Sequence, residues 1–256
     1  MARMLATGLV VFFVFTQGAT ARTPFWKRLF LQKDAPISGE DRIAQGLKEA
    51  LRVGIDKTVQ YTGRENGYYH NDAIRIELPE SFDRATGILR TFGQGARVDA
   101  FILSMNRAAE HAAPHAKKIF LDAISEMTIE DARGILQGSN SAATDYFREK
   151  TEAALEEAFR PIVRKRMQNY RVFRSYTMLT DRYRMYTFGE RIAPVDIEKY
   201  TIRKALDGLF YTLGEQERLI REDPAARVTK LLKEVFGEQS VDRRNGMPAS
   251  LRVLAP

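Results

Sequence analysis

A chain of 256 residues, 44% apolar and 29% charged, is long enough for one sizeable core and too apolar for a disordered protein. It has no cysteine, which excludes disulfides, thiolate nucleophiles, thiolate metal sites and the acylated cysteine of a lipoprotein. The formal net charge of +7 points to anionic partners.

The N-terminus reads as a secretory signal. Arg3 supplies a short basic region, residues 5–15 (LATGLVVFFVF) form an uncharged apolar core, and Ala19-Thr20-Ala21 matches the small-x-small cleavage pattern. Eleven apolar residues are well short of the roughly 20 that cross a bilayer as a helix, so cleavage after Ala21 is expected rather than anchoring. No later stretch is apolar enough to span. With Arg3 removed, the remaining chain carries 39 basic residues against 33 acidic ones, a net charge of +6. In an exported protein, that surplus points to anionic envelope surfaces more than to nucleic acid.

Residues 22–37 read as an arm, opening on Trp26-Lys27-Arg28-Leu29-Phe30. Ser38 with Asp41 three residues on resembles a capping box, followed by a helical period through Ile43, Leu47, Ala50, Leu51, Ile55 and Val59. Gly46 and Gly54 inside that helix suggest close approach of another helix. After the turn-rich stretch 63–72, residues 73–79 (AIRIELP) alternate and end at proline, which predicts a minor extended strand or half of a small hairpin. Helices are then expected over 81–92 and 96–126, the second kinked or split at Pro114. Thr128 and Asp131 form a capping box for a short helix closed by Gly138, and Ser139-Asn140-Ser141 caps the next. Leu155, Phe159, Ile162, Val163, Met167, Tyr170 and Phe173 predict one long amphipathic helix. The turn-rich stretch 179–194 is the nearest approach to a linker. Asp196 starts a helix running through Leu206, Leu209, Phe210, Leu213 and Ile220. Asp223-Pro224 starts another, with Val228, Leu231, Leu232, Val235 and Phe236 on one face and Gly237 as its stop. These readings give an all-α fold of about eight helices. The organisation is a signal peptide (1–21), an arm (22–37), one helical domain (38–237) and a flexible tail (238–256).

Several motifs together resemble the bacterial family known as domain of unknown function 4197. They are GLKEAL at 46–51, IRIELP at 74–79, MNRAAE at 105–110, MTIEDARGILQG at 127–138, AATDYF at 142–147, FRPIV at 159–163 and KALDGLF at 204–210. The resemblance runs from about residue 40 to 237 and is weakest over 170–191. It implies an exported, mainly helical protein and brings no activity, ligand or catalytic residue.

Four groups carry possible chemistry. His111 and His115, four apart, can share a metal on a regular helix, but no third ligand follows and Glu110 points about 100° away from His111. The resemblance implies lysine at both histidine positions, as on a solvated face, so no metal site and no cofactor are expected. His70 reads as a loop side chain. Asn106, Arg107 and Glu110, with Asp131 if the two helices meet, form either a small acid-and-anion pocket or a polar cluster locking two helices together. The Gly-Ser-Asn-Ser stretch at 138–141 opens a helix whose N–H groups can hold an anion, but it lacks the lysine of a phosphate loop and reads as a cap.

The fourth group is the strongest anomaly. Residues 160–191 hold nine Lys/Arg against two acids, with Tyr170, Phe173, Tyr176, Tyr183, Tyr186 and Phe188 interleaved. Tyr170 and Phe173 continue an apolar stripe and are expected in the core. Arg164, Arg171, Arg174, Arg182 and Arg184, with Tyr183 and Tyr186, are expected to form an anionic-surface site. The expected function is therefore a non-enzymatic periplasmic binding or scaffold protein contacting anionic lipid, lipopolysaccharide or another envelope protein. The alternative is a hydrolase-like enzyme built on Asn106, Arg107, Glu110 and Asp131. N-terminal sequencing of protein from the periplasmic fraction should begin at Arg22; intact Met1 in the membrane pellet would contradict cleavage.

Overall fold

The computed structural model describes residues 39–222, with side chains from Asp41 onward. The expected signal peptide and arm, Ser38, the helix expected after Asp223-Pro224 and the expected tail lie outside the described residues.

Among the described residues eight α-helices follow in chain order: α1 (Gly39–Gly63), α2 (Asp83–Thr91), α3 (Gly95–Ala112), α4 (Ala116–Glu126), α5 (Ile129–Gln137), α6 (Ala142–Asn169), α7 (Val172–Tyr186) and α8 (Ile197–Glu222). The all-α class is as the periodicity requires. Pro114 splits α3 from α4 through a single 3-10 turn at Ala113–His115, since proline offers no N–H to the preceding turn. At the start of α5, Thr128 and Asp131 make both halves of the capping box. Asp196 accepts the Lys199 N–H at 2.9 Å where α8 begins.

The core forms where α6 and α8 pack side by side, with α1 on α8 and with α3 and α4 against α6. Phe120 of α4 lies edge-on to Phe147 of α6 and Phe210 of α8, at centroid distances of 5.4 and 5.9 Å. Along α3 and the following turn, the fully buried Ala108, Ala109, Ala112, Ala113 and Ala116 bring the neighbouring backbones close. Gly54 of α1 faces Gln216 and Ile220 of α8, the helix–helix approach expected of it.

Two expectations need correction. First, no strand forms among the described residues; 75–79 is extended chain without a ladder. Its alternation is nonetheless real: Ile74 and Ile76 are buried, while Arg75 and Glu77 point outward and pair with each other at 2.6 Å. What is missing is a second strand, and one short extended segment cannot make a sheet alone. Second, the helix expected to run to Phe173 ends at Asn169. Arg171 adopts a left-handed conformation (φ 53°), and the Tyr170 and Arg171 N–H groups close the last turn on Arg166 and Gln168. The break resets the helical phase. Val172, Leu179 and Tyr183 become the inner face of α7, and Tyr170 and Phe173 face outward.

Gly208 of α8 is held against Tyr68 and Ile74: a Cβ there would lie 2.7 Å from Tyr68 Cε1 and 3.0 Å from Ile74 Cβ. On an open helix face, Gly→Ala stabilises by about 1 kcal/mol. Here Gly208→Ala should instead destabilise by about 1–3 kcal/mol through overpacking, read as a lower midpoint in urea or thermal melts. An unchanged or raised midpoint would mean that Tyr68 is not packed as described.

Candidate functional site

Asn106 sits on the buried face of α3 because it follows Ile102 by four residues and precedes Ala109 and Glu110 on the same side. Its amide meets the extended segment as a second strand would. Asn106 Oδ1 accepts the Ile76 N–H and Nδ2 donates to the Ile76 carbonyl, both at 2.8 Å, while a further 2.8 Å bond runs from Nδ2 to the Ile102 carbonyl. One side chain thus replaces the missing sheet partner and satisfies backbone groups that burial would otherwise leave unpaired.

One turn on, Glu110 is almost wholly buried. Its Oε1 accepts the N–H groups of Tyr68 and Tyr69, each at 3.2 Å, and its Oε2 accepts Arg107 Nη1 at 2.6 Å. Arg107 reaches on to Asn66 Oδ1 at 2.8 Å and Glu65 at 3.1 Å. Tyr68 is buried, donates its hydroxyl to the Ala205 carbonyl at 2.6 Å, and has its phenol pKa pushed upward by burial first and by Glu110 next. Asn106, Arg107 and Glu110 are therefore brought together around the 63–79 connection, and each is bonded within the fold. Asp131 is not brought to them. It belongs to the Thr128 capping box, whose N–H bond lowers its pKa first, and Lys150 and Lys48 are the cations nearest in effect.

A second buried carboxylate was not anticipated. Glu217 of α8 accepts the Ala143 N–H at 3.0 Å, the Thr144 N–H at 2.9 Å and the Thr144 hydroxyl at 2.8 Å. The helix N-terminus that looked available to an anion is thus held by the protein's own carboxylate. Ser141 instead bonds Asp145. Arg221 pairs with Glu217 and donates to the Ile135 carbonyl at 2.8 Å, tying α5, α6 and α8 at one end. The available signal was an ionised residue at position 217 on the stripe Phe210, Leu213, Ile220, where a charge requires a partner.

The three histidines stay outside. His111 and His115 are exposed and separated by the 3-10 turn, and burial followed by Arg166 lowers the His111 pKa. His70 is exposed beside the Tyr69 ring. Among the described residues no group of three or more His, Asp and Glu side chains is placed to hold a metal.

The basic stretch divides in two. Arg164 forms a bidentate pair with Glu198 at 2.8 and 2.9 Å, and Arg160 pairs with Glu156 at 2.8 Å, so both are matched within the fold. Beyond the break at Arg171, the exposed Arg171, Arg174 and Arg184 and the half-exposed Arg182 make no ion pair with another described residue. Thr177, Met178, Asp181 and Met185 share a shallow groove on α7 with Arg174 and Arg182. Tyr183 and Tyr186, expected at the contact surface, are structural. Tyr183 is buried and donates to Glu190 at 2.7 Å, a bond that raises its pKa, and Tyr186 stacks on Phe92 at 4.4 Å. Phe188, in the turn after α7, is fully exposed.

A family described as a protein of unknown function (DUF4197) matches residues 38–237, and the chain belongs to that family. No curated protein and no solved structure matches the chain.

The bonding around Glu110 sets an order of stabilities. Glu110→Ala strands the buried Tyr68 N–H, the part-buried Tyr69 N–H and an arginine and should cost about 3–5 kcal/mol. Arg107→Ala leaves both N–H bonds to Oε1 in place and should cost less, about 1–3 kcal/mol. Urea denaturation of both variants checks this; the reverse order would make the arginine, not the backbone, the main partner of Glu110.

Proposed function

We propose that this protein is a non-enzymatic binding protein of the bacterial envelope, exported to the periplasm, where the outer face of α7 contacts an anionic surface. One observation carries the reading. Arg171, Arg174 and Arg184 are exposed and Arg182 is half-buried, and none of the four lies within ion-pair distance of a described acid, whereas Arg160 and Arg164 on the preceding helix are paired. Asp181 is the one acid on that face, so the local surplus is strongly positive. Arg97 adds to it, with its guanidinium against the Met178 sulfur. Such a face meets phosphate groups through point charges on long stems, and each cation near an anionic membrane contributes roughly 1 kcal/mol. The enzyme reading draws no comparable support. Asn106, Arg107 and Glu110 are bonded within the fold, and Asp131, which would have been their acid, is engaged in a helix cap.

Vesicle sedimentation tests the proposal. The protein should pellet with vesicles containing phosphatidylglycerol and not with phosphatidylcholine alone, and salt should release it as the Debye length falls from about 10 Å at 0.1 M to about 3 Å at 1 M. Arg174→Glu with Arg182→Glu should abolish pelleting, whereas Arg164→Ala, which removes only a matched charge, should leave it intact. Equal binding to both vesicle types, or none to either, would remove the anionic-surface reading.

A further inference from the structure

Charge alone does not account for the end of α7. The helix stops at Tyr186, and the chain turns through Thr187, Phe188 and Gly189. Phe188 has a relative exposure of 101% and a left-handed backbone, φ 54°, followed by Gly189 at φ 114°. A bulky side chain rarely takes that conformation, and strain of this kind persists only where neighbouring bonds enforce it. Those bonds are present. The Thr187 N–H and hydroxyl both bond the Tyr183 carbonyl, at 3.0 and 2.8 Å, and the Gly189 N–H bonds the Arg184 carbonyl at 2.8 Å. Glu190 is held from two sides, by the Tyr183 hydroxyl at 2.7 Å and by Arg84 at 3.1 Å. The turn is anchored before and after Phe188, and the one group left outside is the phenyl ring. Met185, 57% exposed, lies three residues earlier, and the half-exposed Phe92, stacked on Tyr186, widens the apolar tip. Arg182 shares a groove with Met185, Arg184 and Arg191 are exposed within four residues of Phe188 in the chain, and the nearby Glu190 is already matched by Arg84.

An exposed apolar tip flanked along the chain by unmatched arginines fits a surface that is anionic outside and hydrocarbon a few ångströms below. We propose that Phe188 and Met185 enter the acyl-chain region of an anionic phospholipid bilayer while the surrounding arginines hold lipid phosphates. This rests on the surface reading above and adds to it an inserting side chain, an apolar component that salt does not release, and phospholipid as the partner.

Trp26 is the single tryptophan of the chain, so Phe188→Trp in a Trp26→Phe background places the only indole at the tip. With phosphatidylglycerol vesicles, its emission should shift to the blue and be quenched by bromines on the acyl chains. An indole placed on α1 by Tyr61→Trp, also exposed, should show neither change. Phe188→Gly supplies a second readout. It relieves the left-handed strain, so the melting temperature should stay or rise while vesicle affinity falls about tenfold or more, with the salt dependence of the remaining binding unchanged. Binding without quenching, or a glycine variant that binds as well as the parent, overturns insertion and leaves the electrostatic reading standing. Quenching by lipopolysaccharide micelles and not by phospholipid overturns the choice of partner. No binding to any anionic vesicle overturns both readings together.

Discussion

Two buried carboxylates hold segments that helix packing alone would leave loose. Glu110 gathers the Tyr68 and Tyr69 N–H groups of the first long connection, and Glu217 gathers the Ala143 and Thr144 N–H groups that open α6. Each is partnered by an arginine one turn along its own helix, Arg107 and Arg221 respectively. A buried charge is tolerated only when hydrogen-bonded and paired, and both conditions are met at both places. The result is directional. Apolar stripes bring helices together without fixing register, whereas a carboxylate bonded to two successive N–H groups fixes a position along the chain. In a protein with no cysteine to staple its connections, these two clamps and the Asn106 bridge to Ile76 set the path of the 63–79 segment and the start of α6.

That arrangement explains which parts of the sequence were readable. Helices announced by local chemistry are where the pattern puts them: Pro114 splits the central run, Thr128 and Asp131 open α5, and Asp196 opens α8. The polar cluster at 106–110 was readable in part, because Asn106 and Glu110 lie on an apolar stripe where a polar group must find a partner. Its partners were not readable, since Ile76, Tyr68 and Tyr69 are 30 to 42 residues away and offer backbone, which has no sequence signature. Glu217 escaped notice for the same reason, although it too interrupts an apolar stripe.

The misreadings concentrate at one residue. Arg171 carries no signal of a helix end: it is neither glycine nor asparagine, yet it takes the left-handed position that closes α6. A period extended through it places Tyr170 and Phe173 inside and Tyr183 outside, at the expected contact surface. Restarting the period at Val172 inverts both assignments, and the spacing of Val172, Leu179 and Tyr183 is then an ordinary buried face. The extended segment 73–79 misled differently. Its alternation reported burial on one side correctly, but alternation says nothing about whether the partner is a strand or the amide of an asparagine.

The same break separates the paired Arg160 and Arg164 from the unpaired arginines of α7. On the α6 side, Arg160 and Arg164 meet Glu156 and Glu198, and their charge is compensated inside the fold. On the α7 side, Asp181 and Glu190 are present but pair with none of the α7 arginines, and the apolar side chains that packing does not need turn up outside, at Met185 and Phe188. A surface shaped only by solubility would mix charges and leave no bulky ring at full exposure in a strained turn. Here the inner face of α7 is complete without those residues, because Val172, Leu179 and Tyr183 fill it and Tyr186 is covered by Phe92. Packing therefore does not select Phe188, and backbone energetics oppose it. The proposed contact with a bilayer would give a phenyl ring at that position a physical reason that packing among the described residues does not. In that proposal the unmatched arginines of α7 would set the charge of the contact.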